Sequence, residues 1–261
     1  MSATAAEKNA DRDPVLRICT YNIHKGFSQF NRRMVVHDLR ERLRTLDVDL
    51  VFLQEVQGLN LRHSRRHADW PSDPQHEFLA ADVWTQTAYG GNAVYDHGHH
   101  GNAILSRHQI LSSDNQDVSD HRFERRGLLH CEVKLPGMAQ TLHCVCVHLG
   151  LMAGSRRRQM EALALRMERL AADGAPMIIA GDFNDWRNHA DDLLCRRLGV
   201  VEAFSATGVP ARSFPSALPL FRLDRIYVRG FDVKQAKVHF GQPWSRISDH
   251  AALTADLELR S

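Results

Sequence analysis

Long apolar runs are missing from this 261-residue chain. None approaches the roughly 20 residues that span a bilayer, so no transmembrane segment is expected. The opening stretch, residues 1–14, is polar and lacks the apolar centre of a secretory signal. It reads as a disordered arm over 1–13, ahead of a single domain over 14–261 in a cytoplasmic, monomeric protein. Lysine is scarce: five stand among 33 basic residues, the rest being arginine, whose planar fork matches phosphate oxygens. The net charge of +2 is too small to announce a general nucleic-acid binder. The five cysteines, Cys19, Cys131, Cys144, Cys146 and Cys195, show no paired zinc spacing. Cys144 and Cys146 alternate within an apolar stretch, so they share one face of a strand as small buried hydrophobes. Internal repeats and low-complexity linkers are absent too.

What is there suits a large folded core. Hydrophobic residues make up 43% and charged residues 25%, and a chain this long buries a core without staples. Short runs rich in Val, Ile, Leu and Cys predict strands at 15–21, 50–54, 103–105, 128–135, 140–148, 177–180, 222–228, 236–239 and 252–257. Val35, Leu39, Leu43 and Leu46 predict a helix over 34–46. Met160, Leu163, Met167 and Leu170 predict another over 156–170, with Ser155 as its N-cap. A shorter helix is expected over 190–198. Many strands with a few interleaved helices imply sheets packed together and covered by helices. The polar stretch 58–86 reads as a long functional loop.

The informative pattern is where polar residues fall. Predicted strands run into Asn22, Glu55, His148 and Asp182–Asn184, while Asp224 opens one strand and Asp249–His250 precede the last. One acid at a strand end means little, because turns favour Asp and Asn. Repeated occurrence implies a scaffold that gathers these ends. Glu55, Asp182, Asp224, Asp249, Asn22 and Asn184 offer hard oxygens, the preference of Mg²⁺ or Mn²⁺. Magnesium takes only one or two protein carboxylates, which leaves others for proton work. A histidine beside a carboxylate stays positioned and, when protonated, stabilises phosphate charge. The combination fits metal-assisted attack of water on phosphorus.

Seven stretches in order carry a family resemblance: TYNIHKGF (20–27), LQEVQ (53–57), GNAILSR (101–107), VHLGL (147–151), GDFND (181–185), RLDRIYV (222–228) and SDHAAL (248–253). Together they resemble the endonuclease/exonuclease/phosphatase superfamily, and PQHEFLA and GHHGNAILSR resemble a bacterial branch of it. The resemblance implies a four-layer α/β/β/α sandwich, two mixed sheets face to face with helices outside. It implies that Glu55 is the principal metal ligand, with Asn22 and Asp249 beside the metal. Asp182 would activate the attacking water, Asn184 would hold the phosphate, and His250, paired with Asp224, would contact it. His148 would assist the leaving group. Abasic-site endonucleases carry an Asp two residues after the Asn; here His24 stands there, which argues against abasic-site repair.

Other features admit plainer readings. Arg156, Arg157 and Arg158 would oppose the dipole at a helix start and read chiefly as a solvated face. Arg62, Arg65 and Arg66 form a basic cluster after Glu55, with Arg62 a candidate substrate contact. His24 and Lys25 are candidates for binding phosphate, as are His100 and Asn102 in DHGHHGN. Trp70, Trp84 and Trp244 read as packing residues, with Trp186 the best candidate for more. The leading expectation is a Mg²⁺- or Mn²⁺-dependent phosphodiesterase acting on nucleic acid or a lipid head group. The rivals are an inositol-phosphate-like phosphomonoesterase, a non-catalytic phosphate-binding module and a zinc hydrolase using the 16 histidines.

Overall fold

The computed structural model describes residues 15–29, 33–121, 123–171, 174–208 and 211–260, and the arm expected over 1–13 lies outside them. Twelve strands among these residues form two six-stranded sheets. The first runs β11 (Phe231–His239), β12 (Ala252–Leu259), β1 (Val15–Asn22), β2 (Leu50–Asn60), β4 (Gly98–Ser106) and β3 (Gln86–Tyr95). The second runs β5 (Gln109–Asp117), β6 (Gly127–Lys134), β7 (Leu142–His148), β8 (Met177–Asp182), β10 (Asp224–Arg229) and β9 (Val201–Glu202). Each sheet has one parallel pair at its centre, β1 with β2 and β7 with β8, and is otherwise antiparallel. Both are therefore mixed, as expected.

Side chains alternate across each strand, and here both faces of the central strands are apolar. Ile18, Phe52 and Ile104 of the first sheet pack on Cys144, Cys146, Ile178 and Ile226 of the second. On the outer face of the first sheet, Tyr21, Val51 and Leu53 meet Leu39 and Leu43 of α1 (Val36–Thr45) and Leu79 of α3 (Gln75–Ala80). On the outer face of the second, Val145, Val147, Ile179 and Tyr227 meet α4 (Ala153–Leu170) and α5 (His189–Leu198), through Met160, Leu163, Met167 and Leu194. The order helix, sheet, sheet, helix is the four-layer sandwich.

Several local expectations fail for physical reasons. The stretch 58–86 is ordered: β2 continues to Asn60, α2 (Leu61–Arg66) follows, and α3 lies beyond. Asn60 caps α2, its Oδ1 accepting from the Arg62 and His63 amides at 3.1 and 2.9 Å. Strands β3 and β5 had no apolar signature because they lie at sheet edges and expose polar residues to water. Helix α4 begins at Ala153, so Ser155 falls in its first turn, where its hydroxyl donates to Asp120. In α6 (Ala203–Thr207) the capping side chain is Glu202, which accepts from the Ser205 amide.

Phe52 is fully buried in the middle layer. Phe52→Ala should lower stability by about 3–5 kcal/mol, read from the midpoint and slope of urea unfolding.

Candidate functional site

Strand register brings the polar ends together. Asn22 on β1 lies beside Gln54 on β2. In the second sheet His148, Asp182 and Asp224 stand in a row on three adjacent strands, His148 beside Asp182 and Asp182 opposite Asp224. The row is possible because Gly181 lets β8 approach β7: a Cβ there would lie 2.0 Å from the Val147 carbonyl oxygen.

The first sheet contributes Glu55 through a bulge. The β2–β4 register shifts between Leu53 and Val56, and Glu55 takes a φ of 57°, so the bulge re-aims its carboxylate out of the pleat. His24 (φ 44°), Lys25 (φ 59°) and Asn184 (φ 49°) are also left-handed. Such conformations cost about 1–3 kcal/mol each, and four of them meet at this one site. Gln75 helps to hold them: its Nε2 donates to the Lys25 carbonyl at 2.9 Å and its Oε1 accepts from the Gln57 amide at 2.8 Å. Lys25 Nζ lies 3.4 Å from Glu55 Oε2, and His24 Nδ1 lies 3.4 Å from Asp249 Oδ1. Burial opposes charge on Glu55, but the basic groups around it outweigh burial and hold its carboxyl down at about 2. Lys25 is the permanent charge among them.

The second sheet contributes a buried hydrogen-bond chain. Asp182 Oδ1 accepts from the Asn184 amide at 2.9 Å and Oδ2 from Asn22 Nδ2 at 3.1 Å, the latter bond crossing between the sheets. His250 Nδ1 meets Asp224 Oδ2 at 2.8 Å, while its Nε2 lies 3.8 Å from Asp182 Oδ2. Burial alone would strip the His250 proton, yet Asp224 and Asp182 prevail and raise its pKa to about 10. Burial drives the Asp182 carboxyl well above the ordinary range; His250 opposes this and Asp224 adds to it. Burial, then the nearby Arg126, push His148 far down. Its 3.5 Å contact with Asp182 is therefore that of a neutral imidazole.

Two groups of side chains invite a metal. The Asp182, Asp224 and His250 ligand atoms lie within 4.8 Å of one another. However, the His250–Asp224 hydrogen bond accounts for that closeness. Glu55 fits a hard cation better. Its Oε2 is buried and makes no hydrogen bond, although Lys25 Nζ faces it, and the oxygens of Asn22 and Asp249 flank the same turn. Glu55, with Asn22 and Asp249, is the set able to hold Mg²⁺ or Mn²⁺.

Other expected contacts are placed differently. Asn102 is fully buried, and its Nδ2 donates to the Gly127 and Cys146 carbonyls at 3.0 and 3.3 Å. Having no exposed surface, it ties the sheets together instead of meeting phosphate. His100 lies beside the site; its Nδ1 meets the Tyr95 hydroxyl at 3.1 Å, and burial, aided by Lys25, lowers its pKa to about 4. Arg62 is exposed on α2. Arg156 is no solvated residue: buried, it donates to the Gly150 carbonyl at 3.1 Å and the Leu151 carbonyl at 2.6 Å. Trp84 and Trp244 are buried packing residues, Trp70 stacks on Phe27 and His63, and Trp186 is half exposed. Supporting residues escaped sequence reasoning. Ser248 donates to the Asn22 carbonyl at 2.7 Å and accepts from the His250 amide at 3.2 Å. Arg225 is buried and donates to Asn188 Oδ1 and to the Arg222, Asp224 and Asp185 carbonyls. Ser248 stood in the SDH stretch; Gln75 and Arg225 left no signal beyond their place in the other matched stretches.

Two mixed sheets under helices, with acids and imidazoles gathered where strands end, define the fold and site of phosphate-handling sandwich proteins. The model of the endonuclease/exonuclease/phosphatase family matches residues 19–250, and the chain belongs to that family. Its members generally hydrolyse phosphoester bonds with the help of metal ions. The chain is 45% identical over 244 residues to the uncharacterized protein YbhP of Escherichia coli (strain K12), across 93% of this chain and 96% of that one. The fold is similar to that of an endonuclease/exonuclease/phosphatase from Beutenbergia cavernae (TM-score 0.74, 19% identity, 95% of this chain and 72% of that chain). It is also similar to that of a mannosyl-6-phosphatase of Bacteroides thetaiotaomicron (TM-score 0.68, 15% identity, 93% and 99%).

The His250–Asp224 pair makes a titration testable. In metal-free protein His250 should stay protonated well past neutrality, since its pKa is raised to about 10. In Asp224→Asn the main compensating charge is gone and burial dominates, so the ring should be neutral at pH 8. Nitrogen-15 shifts of the His250 ring read this directly; a neutral ring at pH 8 in the unaltered protein would contradict it.

Proposed function

We propose that this protein is a Mg²⁺- or Mn²⁺-dependent phosphoester hydrolase acting on phosphodiesters by direct attack of water on phosphorus. The observation that carries this reading is the buried Asp182, bonded across the sheets to Asn22 and flanked by the His250–Asp224 pair. Burial gives its carboxyl a raised proton affinity, which suits a base that takes a proton from water near neutral pH. The Asn184 amide and Asn22 Nδ2 fix both of its oxygens, so the lone pair that accepts the proton is aimed. His250, kept protonated by Asp224, neutralises charge growing on a phosphoryl oxygen. Lys25 supplies further positive charge for binding phosphate, and neutral His148 would hydrogen-bond the leaving oxygen. Glu55, Asn22 and Asp249 would hold the divalent ion, which as a Lewis acid polarises the phosphoryl group.

A phosphomonoesterase is the second reading, favoured by the similarity to a mannosyl-6-phosphatase. Parallel assays on bis-p-nitrophenyl phosphate and p-nitrophenyl phosphate separate the two, and faster release from the diester is expected. Glu55→Gln and Asp182→Asn should each lower turnover by about a hundredfold or more, with unfolding midpoints near that of the unaltered protein. Near-normal turnover in either variant would remove the assignment. EDTA should abolish activity, and Mg²⁺ or Mn²⁺ should restore it; restoration by Zn²⁺ alone would point to a softer ligand set built on histidine.

A further inference from the structure

The loops that frame the site carry much exposed apolar side chain. Leu151 and Met152, just after His148, stand 61% and 62% exposed. Leu218 and Leu220, ahead of Asp224, are 68% and 55% exposed. Trp186, shortly after Asp182, is half exposed and meets Phe221 edge to face at 5.3 Å. Leu59 and Leu61, where β2 passes into α2 beyond Glu55, are also exposed. Scattered apolar residues on a surface need no explanation. Leu151, Met152, Trp186, Leu218 and Leu220 occupy the segments that follow β7 and β8 or precede β10, next to the strand ends that carry His148, Asp182 and Asp224 in a row. A group of this kind marks an interaction surface.

Charge and side-chain type select the occupant. Exposed Arg62, Arg65 and Arg66 accompany Leu61 on α2, and exposed Arg187 follows Trp186. Apolar side chains interspersed with arginine suit an interface of acyl chains and anionic headgroups. A single-stranded nucleic acid would call for aromatic platforms on which bases stack, whereas Leu and Met outnumber Trp186 and Phe221 on this rim. We propose that the rim docks on an anionic phospholipid surface and that the site takes its phosphodiester from a phospholipid headgroup there. The substrate assignment rests on the hydrolase reading above; the docking surface stands independently of it. In the reaction the water oxygen bonds to phosphorus and the bond from phosphorus to one alcohol oxygen breaks. Asp182 receives a proton from the water and gives it up through solvent, the departing oxygen takes a proton from solvent and leaves as the alcohol, and one water is consumed.

Vesicle flotation tests the surface. The unaltered protein should float with phosphatidylglycerol vesicles and much less with phosphatidylcholine. The double variants Leu151→Ser/Met152→Ser and Leu218→Ser/Leu220→Ser should bind about tenfold more weakly or worse. Their turnover of soluble bis-p-nitrophenyl phosphate should stay within about twofold of the unaltered protein, because these side chains touch no reacting group. Their hydrolysis of phosphatidylglycerol in vesicles should fall with binding. Failure of the unaltered protein to float, or undiminished flotation of both variants, would overturn the docking surface. So would loss in these variants of self-association or of single-stranded DNA binding displayed by the unaltered protein. Flotation without hydrolysis of the soluble diester or the lipid would overturn the hydrolase reading and the lipid substrate while leaving the docking surface standing. Hydrolysis of the soluble diester without flotation would do the reverse.

Discussion

Two stacked sheets have no backbone ladder between them, so their alignment depends on the apolar layer they share. Phe52, Ile104, Cys146, Ile178 and Ile226 fill that layer, and dispersion and water exclusion hold it without favouring any one register strongly. Register comes from a few polar links across the layer. Asn102 reaches the Gly127 and Cys146 carbonyls, Gln54 Nε2 reaches the Cys146 sulfur at 3.2 Å, and Asn22 reaches Asp182. A slip of one residue, about 3.3 Å along a strand, would break all of them. The same slip would separate the Glu55 side of the site from the Asp182 side. The links that orient the sandwich are thus the links that assemble the site.

The two key carboxylates show how environment divides labour between like groups. Glu55 sits among basic side chains and is held ionised, the state in which it could take a cation. Asp182 is buried deeper and its proton affinity rises, which suits the base proposed for it. Carboxyls pushed apart in this way mark distinct roles. The strained backbone at His24, Lys25, Glu55 and Asn184 belongs to the same design. Each is a polar side chain aimed by an unfavourable turn, and packing residues such as Gln75 compensate locally.

The central strands and their polar ends were legible in the sequence because both faces of those strands are buried. Continuous apolar runs ending in Asn22, Glu55, His148 and Asp182 stand out against ordinary amphipathic patterns. Edge strands β3 and β5 were illegible for the opposite reason: half of each faces water. The segment after Glu55 misled because α2 and α3 are only six residues each, too short to display a period. Asn102 misled in another way. Its place in a recognisable stretch suggested contact with phosphate, but burial turns its amide toward two carbonyls.

The order of strands in the first sheet bears on how the protein is made. Strand β12 lies between β11 and β1, and Val15 pairs with Glu258. The earliest described strand therefore finds one of its two neighbours only after nearly the whole described chain has been synthesised. At about 5–20 residues per second, β1 waits roughly 12–50 s with one edge open. His250 and Asp249 arrive in the same late segment, just ahead of β12. A nascent chain on the ribosome thus holds Glu55 and Asp182 long before it holds the imidazole between Asp182 and Asp224. Unfinished chains would carry most of the clustered side chains without the His250–Asp224 pair, which forms only with that late segment.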